Sequence, residues 1–238
     1  MRPAAPPVLP EALHGHPVVK VCGVCRAQDA DHAANLGARW IGCVFAPESP
    51  RCAGEGAASE VLAACVERAS VVGVFRAATT PLRSILRKAH RLALRHVQVV
   101  GASQEQLAEL RRTGLSPLVV HSVGCHQQAL PGDLDPEPSG PPAILDTGRG
   151  GTGQRFPWGI LGDRAPGNTL IAGGVQPSNV AELLVHRPYG IDVSSGIEAA
   201  PGVKDFGLME ELFARIDHAV RARASEPRVQ EPNQGAHL

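Results

Sequence analysis

The stretch LIAGGVQPSNVAELLVHRPYGIDVSSG, residues 170–196, decides the fold. Residues 170–172 are a short aliphatic run closed by the pair Gly173-Gly174. Residues 177–186 carry helical periodicity, with a proline in the first turn where its missing N–H is not needed. Residues 191–193 are a second aliphatic run, closed by Ser194-Ser195-Gly196. Two apolar strands separated by a helix make a parallel βαβ unit, because parallel strands need a crossover and are covered on both faces.

Outward from this unit the pattern repeats. Strands are expected at 18–22, 40–45, 70–75, 96–99, 118–120 and 143–146. Helices are expected at 26–36, stopped by Gly37 in the C′ position, at 57–68 and at 81–94. A capping pair, Ser103 and Gln106, opens another that runs to 113, and a last helix covers 204–221. Segment 123–142 breaks the rhythm: Pro131, Pro136, Pro138, Pro141 and Pro142 leave room for a turn or two in place of a fifth full helix. Eight strands with intervening helices predict an α/β chain folded as a TIM (β/α)8 barrel, a single domain over residues 17–223 with disordered tails at 1–16 and 224–238. An open doubly wound sheet is expected to show G-x-G-x-x-G after its first strand, and residues 22–25 read CGVC instead.

The 238-residue chain balances 23 Lys+Arg against 23 Asp+Glu, so it offers no basic field to nucleic acid. Two Trp, one Tyr and five Phe are too few for base-stacking platforms, and they leave the core to aliphatic residues. No apolar run approaches the ~18 residues that span a bilayer. Six cysteines (Cys22, Cys25, Cys43, Cys52, Cys65 and Cys125) in a long chain with no charged and apolar leader read as reduced thiols. The expectation is a cytoplasmic protein with neither nucleic acid nor membrane as partner.

In a barrel, residues just past each strand's C-terminal end converge on one mouth. Here they are Cys22-Gly23, Ser49-Pro50-Arg51, Asp146 with the loop GRGGTG at 148–153, Gly173-Gly174, and Ser194-Ser195-Gly196. Glycines and serines after strands seven and eight suit a phosphate bound by bare backbone N–H groups and hydroxyls.

Six blocks extend this: KVCG at 20–23, VFAPESPR at 44–51, VGVF at 72–75, LDT with GGTG between 145 and 153, AGGVQPSNV at 172–180, and DVSSGIEAAPGVKD at 192–205. In this order and at these separations they resemble the phosphoribosylanthranilate isomerase family over residues 18–220. The resemblance implies an Amadori rearrangement in tryptophan biosynthesis, in which an aminoaldose phosphate becomes a 1-amino-2-ketose phosphate. It implies Asp146 as the acid that protonates the furanose oxygen and Cys22 as the base that takes the C2′ proton. It also implies Arg51 on the anthranilate carboxylate, for which a planar fork is the right shape. Gly173, Gly174, Ser194, Ser195 and Gly196 are expected around the phosphate, and Asp192 at the ribose hydroxyls or packed at its strand end. Catalysis then asks for a Cys22 pKa below the free-thiol value of about 8.5 and an Asp146 pKa well above about 3.9. No cofactor and no metal are expected, because isomerisation within one substrate needs no external electron sink. The partner is a small-molecule phosphosugar, and the protein a monomer or homodimer.

One position departs from the family. Its Q-L-H-G after strand four is Gln98-Val99-Val100-Gly101 here, which removes a histidine; His121, just past strand five, is a candidate replacement. Other readings compete. CGVC sits between strand and helix like a thiol-disulfide motif, but in a chain too long for that small fold. Cys22, Cys25, Cys43 and Cys52 contain only one C-x2-C for zinc. A phosphosugar sensor without turnover would keep the loops and lose the chemistry. Isomerases shared between histidine and tryptophan synthesis are expected to carry aspartate where Cys22 stands.

Overall fold

The computed structural model describes residues 16–132, 134, 142–147 and 153–225. The expected tails, apart from His16, Ala224 and Ser225, lie outside the described residues, as do 148–152 of the glycine loop and 133 and 135–141 of the proline-rich segment.

Eight parallel strands close on themselves: β1 (Val18–Cys22), β2 (Trp40–Val44), β3 (Ser70–Arg76), β4 (His96–Val100), β5 (Ser116–Ser122), β6 (Ala143–Asp146), β7 (Thr169–Ile171) and β8 (Gly190–Val193). The last strand pairs with the first, Lys20 opposite Asp192, so the sheet has no free edge. Strand alternation sends every second side chain inward. The inward set includes Val18, Trp40, Val44, Val72, Val74, Leu118, Ile144 and Leu170. The outward set, among them Val19, Val21, Ile41, Phe75 and Val97, packs against the helices. Both faces are covered, which is why the strands read as nearly continuous apolar runs, interrupted by buried polar residues such as Lys20, Gln98 and Asp192.

Helices α1 (Ala27–Asn35), α2 (Glu55–Cys65), α3 (Leu82–Arg91), α4 (Gln104–Arg112), α5 (Val180–Leu184) and α6 (Phe206–Ala224) surround the barrel. Gly37, at φ +104°, closes α1: its N–H donates to Ala34 O at 3.1 Å and that of Ala38 to Ala33 O at 2.9 Å, the Schellman pattern. Ser103 and Gln106 form the expected capping box at the start of α4. Two expectations need correction. The helix read at 177–186 shrinks to Val180–Leu184, because the Asn179 side chain bonds Gly174 O (2.8 Å) and Gln176 N (2.9 Å) and holds the preceding residues in a turn. The last helix starts later than 204. Lys204 ends a small hairpin, β9 (Glu198–Ala200) and β10 (Val203–Lys204), and α6 follows with the Asp205 carboxylate accepting from Leu208 N at 2.9 Å. Among the described residues no helix occurs between β5 and β6, and a 3₁₀ turn, Trp158–Leu161, lies between β6 and β7.

Candidate active site

A cavity of about 250 Å³ opens at the C-terminal mouth of the barrel. Cys22, Arg51, Asp146, Gly173, Gly174, Asp192, Ser194 and Ser195 line it together. Gly196 does not: a Cβ there would run into Val175 O, so this glycine lets the loop after β8 pack on the loop after β7. Gly173 (φ +83°) and Gly174 (φ +67°) take left-handed conformations that favour glycine. A Cβ on either would strike a backbone oxygen, of Gln154 at 2.9 Å or of Gly153 at 2.8 Å. Their bare backbone therefore faces the cavity beneath the loop that follows β6.

Cys22 ends β1 with its side chain inward, two residues after Lys20 and four after Val18. Its β2 partner is Gly42, where a Cβ would sit 2.8 Å from Cys22 Sγ, so the missing side chain makes room for the thiol. Burial pushes the Cys22 pKa up; Lys20 and Lys204 pull it down and Asp192 adds to the rise. The expected depression below the free value is corrected: burial at the strand end outweighs two ammonium groups. Burial also pushes the Asp146 carboxyl up, helped by the nearby charge of Asp192 and opposed by hydrogen bonds from Thr147.

Lys20 went unassigned in the sequence, although alternation alone puts it on the face of Cys22. Its Nζ donates to both Asp192 oxygens, at 2.9 and 2.8 Å, in the closed interior. Burial works against the lysine charge, yet Asp192 and Cys22 hold its pKa above the ordinary value. Each Asp192 oxygen thus accepts once from Lys20 at the floor of the cavity and keeps a second lone pair.

Arg51 stands at the rim with its fork on Glu198: Nε to Oε1 and Oε2 at 3.0 and 3.1 Å, Nη2 to Oε2 at 2.7 Å. Lys204 Nζ donates to Oε1 of the same carboxylate at 2.8 Å and to Ser194 O at 3.1 Å. Burial opposes the Glu198 charge, but Arg51 and Lys204 hold its pKa below the usual range. Gly23 (φ +73°) leaves the space the arginine crosses, since a Cβ would meet Arg51 Cδ at 2.5 Å. Glu198 and Lys204 were visible only as letters of the last motif.

Gln98 and Val100 line the same cavity. His121 does not: it shares the outward face of β5 with Val119, which packs against the outer core. It is no substitute for the missing histidine, and Val100 leaves that wall apolar. Among the described residues the cysteines do not assemble as zinc ligands either. Cys25 Sγ donates to Arg51 O at 3.3 Å, Cys65 Sγ to Val61 O at 3.0 Å, and burial pushes Cys43 up to about 12. Among the described residues no three His, Cys, Asp or Glu side chains gather as a metal site, and no helix is long and apolar enough to cross a membrane.

The sequence profile described as N-(5'phosphoribosyl)anthranilate (PRA) isomerase matches residues 19–215. The chain belongs to the phosphoribosylanthranilate isomerase family. It is 34% identical to the N-(5'-phosphoribosyl)anthranilate isomerase of Rubrobacter xylanophilus, over 82% of this chain and 97% of that one. The crystal structure of phosphoribosyl anthranilate isomerase from Thermus thermophilus superposes with a TM-score of 0.70 at 33% identity, covering 84% of this chain and 98% of the other. The tryptophan biosynthesis protein TrpCF of Yersinia pestis is 38% identical over 83% of this chain. The chain spans 40% of that relative's length, so it corresponds to one part of a longer polypeptide there.

Proposed function

We propose that this chain catalyses the Amadori rearrangement of N-(5'-phosphoribosyl)anthranilate in tryptophan biosynthesis, with Asp146 as general acid and Cys22 as general base. The observation that carries the reading is that a thiol from β1 and a raised-pKa carboxyl from β6 line one cavity whose rim holds a guanidinium and whose far wall is glycine backbone. In the proposed sequence Asp146 gives its proton to the furanose oxygen and the ring opens to an iminium. Cys22 as thiolate then removes the C2′ proton, and the enolamine tautomerises to the ketone. Lys20 stabilises the thiolate from below. Asp192, fixed by Lys20, keeps Asp146 protonated and faces the ribose. Arg51, aligned by Glu198, takes the anthranilate carboxylate, and Val44, Val74 and Val100 supply an apolar wall for the ring. Gly173, Gly174, Ser194 and Ser195 receive the phosphate through backbone and hydroxyl donors, a role we no longer give Gly196. We further propose residues 17–223 as the catalytic unit, a cytoplasmic location, and a monomer or homodimer.

The test is turnover of the aminoaldose, followed by loss of anthranilate-type fluorescence. Cys22→Ala and Asp146→Asn are each expected to lower kcat by about 10²-fold or more with the far-UV circular dichroism unchanged. Near wild-type rates in both variants would remove the assignment of roles, and tight binding without fluorescence decay in the wild type would make the protein a sensor.

A further inference from the structure

Once Cys22 is given to the sugar, the second cysteine of CGVC is left over. Cys25 does not line the mouth, and its Sγ donates to the Arg51 carbonyl at 3.3 Å. A planar trans peptide sets the following Cα about 2.8 Å from such an oxygen. The Cα of Cys52 therefore lies within about 6 Å of the Cys25 sulfur. Cys52 is exposed, and Cys25 is half-buried yet close enough to sense a charge on Cys52. The turn of the β9–β10 hairpin meets them at the same point. A Cβ on Gly202 would stand 3.2 Å from Cys25 Sγ and 3.9 Å from Arg51 Cα, so glycine there keeps space for the sulfur beside the arginine loop.

We propose that Cys25 and Cys52 are a reversible modification site: they join in a disulfide, by exchange with a low-molecular-weight disulfide of the glutathione class, and the bond displaces Arg51. The exposed Cys52, as thiolate, attacks one sulfur of the small disulfide, breaks its S–S bond and releases one small thiolate. Cys25 loses its proton, attacks the Cys52 sulfur of the mixed disulfide and expels the second small thiolate. Two protein thiols are oxidised, one small disulfide is reduced, and the two protons end on the released thiolates.

A disulfide brings its Cα atoms to about 4.4–6.8 Å, a span that a turn of the Cys25 side chain and a small loop shift can close. Closing it ends the Cys25 bond to Arg51 O and draws residues 50–52 toward the loop after β1. Arg51 then leaves its seat on Glu198. The bond stands independently of the function proposed above, whereas its effect on binding rests on Arg51 as carboxylate clamp.

The whole chain is incubated with oxidised glutathione, alkylated and mapped by peptide mass spectrometry. The expected result is a linked Cys25–Cys52 peptide, a KM for the aminoaldose raised about fivefold or more with kcat changed by less than about twofold, and recovery with dithiothreitol. Cys52→Ser should keep the reduced activity and lose the response. A Cys22–Cys25 link, or mixed disulfides alone, overturns the proposal. So does a Cys25–Cys52 link that leaves KM unchanged in a protein where Arg51→Lys raises it. If Arg51→Lys leaves KM unchanged, the clamp reading fails instead and the mapped bond carries the proposal.

Discussion

Lys20 is the residue on which stability and chemistry meet. An ammonium in the closed interior survives because one carboxylate takes it from 2.8 Å, and a buried pair broken on one side costs about 3–5 kcal/mol. Lys20→Met is therefore expected to lower the unfolding free energy by about 3–5 kcal/mol in urea melts. Lys20→Met with Asp192→Asn should recover part of that, since no lone charge remains; a double variant as unstable as the single one would contradict the pairing. The sequence offered a signal here, a lysine inside a β-branched run two places before the cysteine. Its meaning was hidden because its partner is 172 positions away. Arg51 was legible from its motif, but not the Glu198 and Lys204 side chains that aim it.

At the scale of elements, the strand pair β1–β2 sets the thiol. Gly42 stands opposite Cys22, and a methyl there would lie 2.8 Å from the sulfur and 3.1 Å from the Cys22 Cα, so relief must come from the catalytic strand itself. Gly42→Ala is expected to reduce kcat by about tenfold or more while the circular dichroism stays native, since a displacement of about 1 Å can cost that much. By contrast, the α4 capping box is remote from the mouth. Ser103→Ala should cost about 1 kcal/mol, lower Tm by about 2–4 °C and leave kcat and KM alone. This box was readable because capping is local, involving residues three apart. The shortened α5 was not, since the same letters serve a turn once Asn179 bonds Gly174. Nor was the β9–β10 hairpin, whose residues 203–204 read as the start of a helix.

For the whole molecule, closure of β8 onto β1 brings Cys22, Asp146 and Asp192 to one mouth, and this fixes the pH dependence. Burial raises both the thiol and the carboxyl, so the productive form, thiolate with protonated acid, is a minor species at neutral pH. As pH falls below the pKa of Asp146 the thiolate fraction keeps dropping with no further gain in acid, and the rate declines. Between the two pKa values the gains and losses cancel, and above that of Cys22 the loss of acid wins. The profile of kcat/KM is expected to be a broad plateau whose acid limb lies above the ordinary carboxylate pKa of about 3.9 and whose alkaline limb lies above the ordinary thiol value of about 8.5. Each limb belongs to the coupled pair. A thiolate already formed at neutral pH would instead bring the Cys22 limb down to about 7, and stopped-flow rates against pH distinguish the two.

The barrel, the order of its strands and most residues at its mouth, Gly196 excepted, were legible in the letters alone, because apolar alternation, caps and glycine stops are short-range and strand ends in this architecture converge wherever the ring closes. Tertiary structure alone decided the charges around those residues. Lys20 finds its carboxylate 172 positions away and Arg51 finds Glu198 147 positions away, and whether burial or an ammonium prevails at the thiol depends on how the closed ring packs around it.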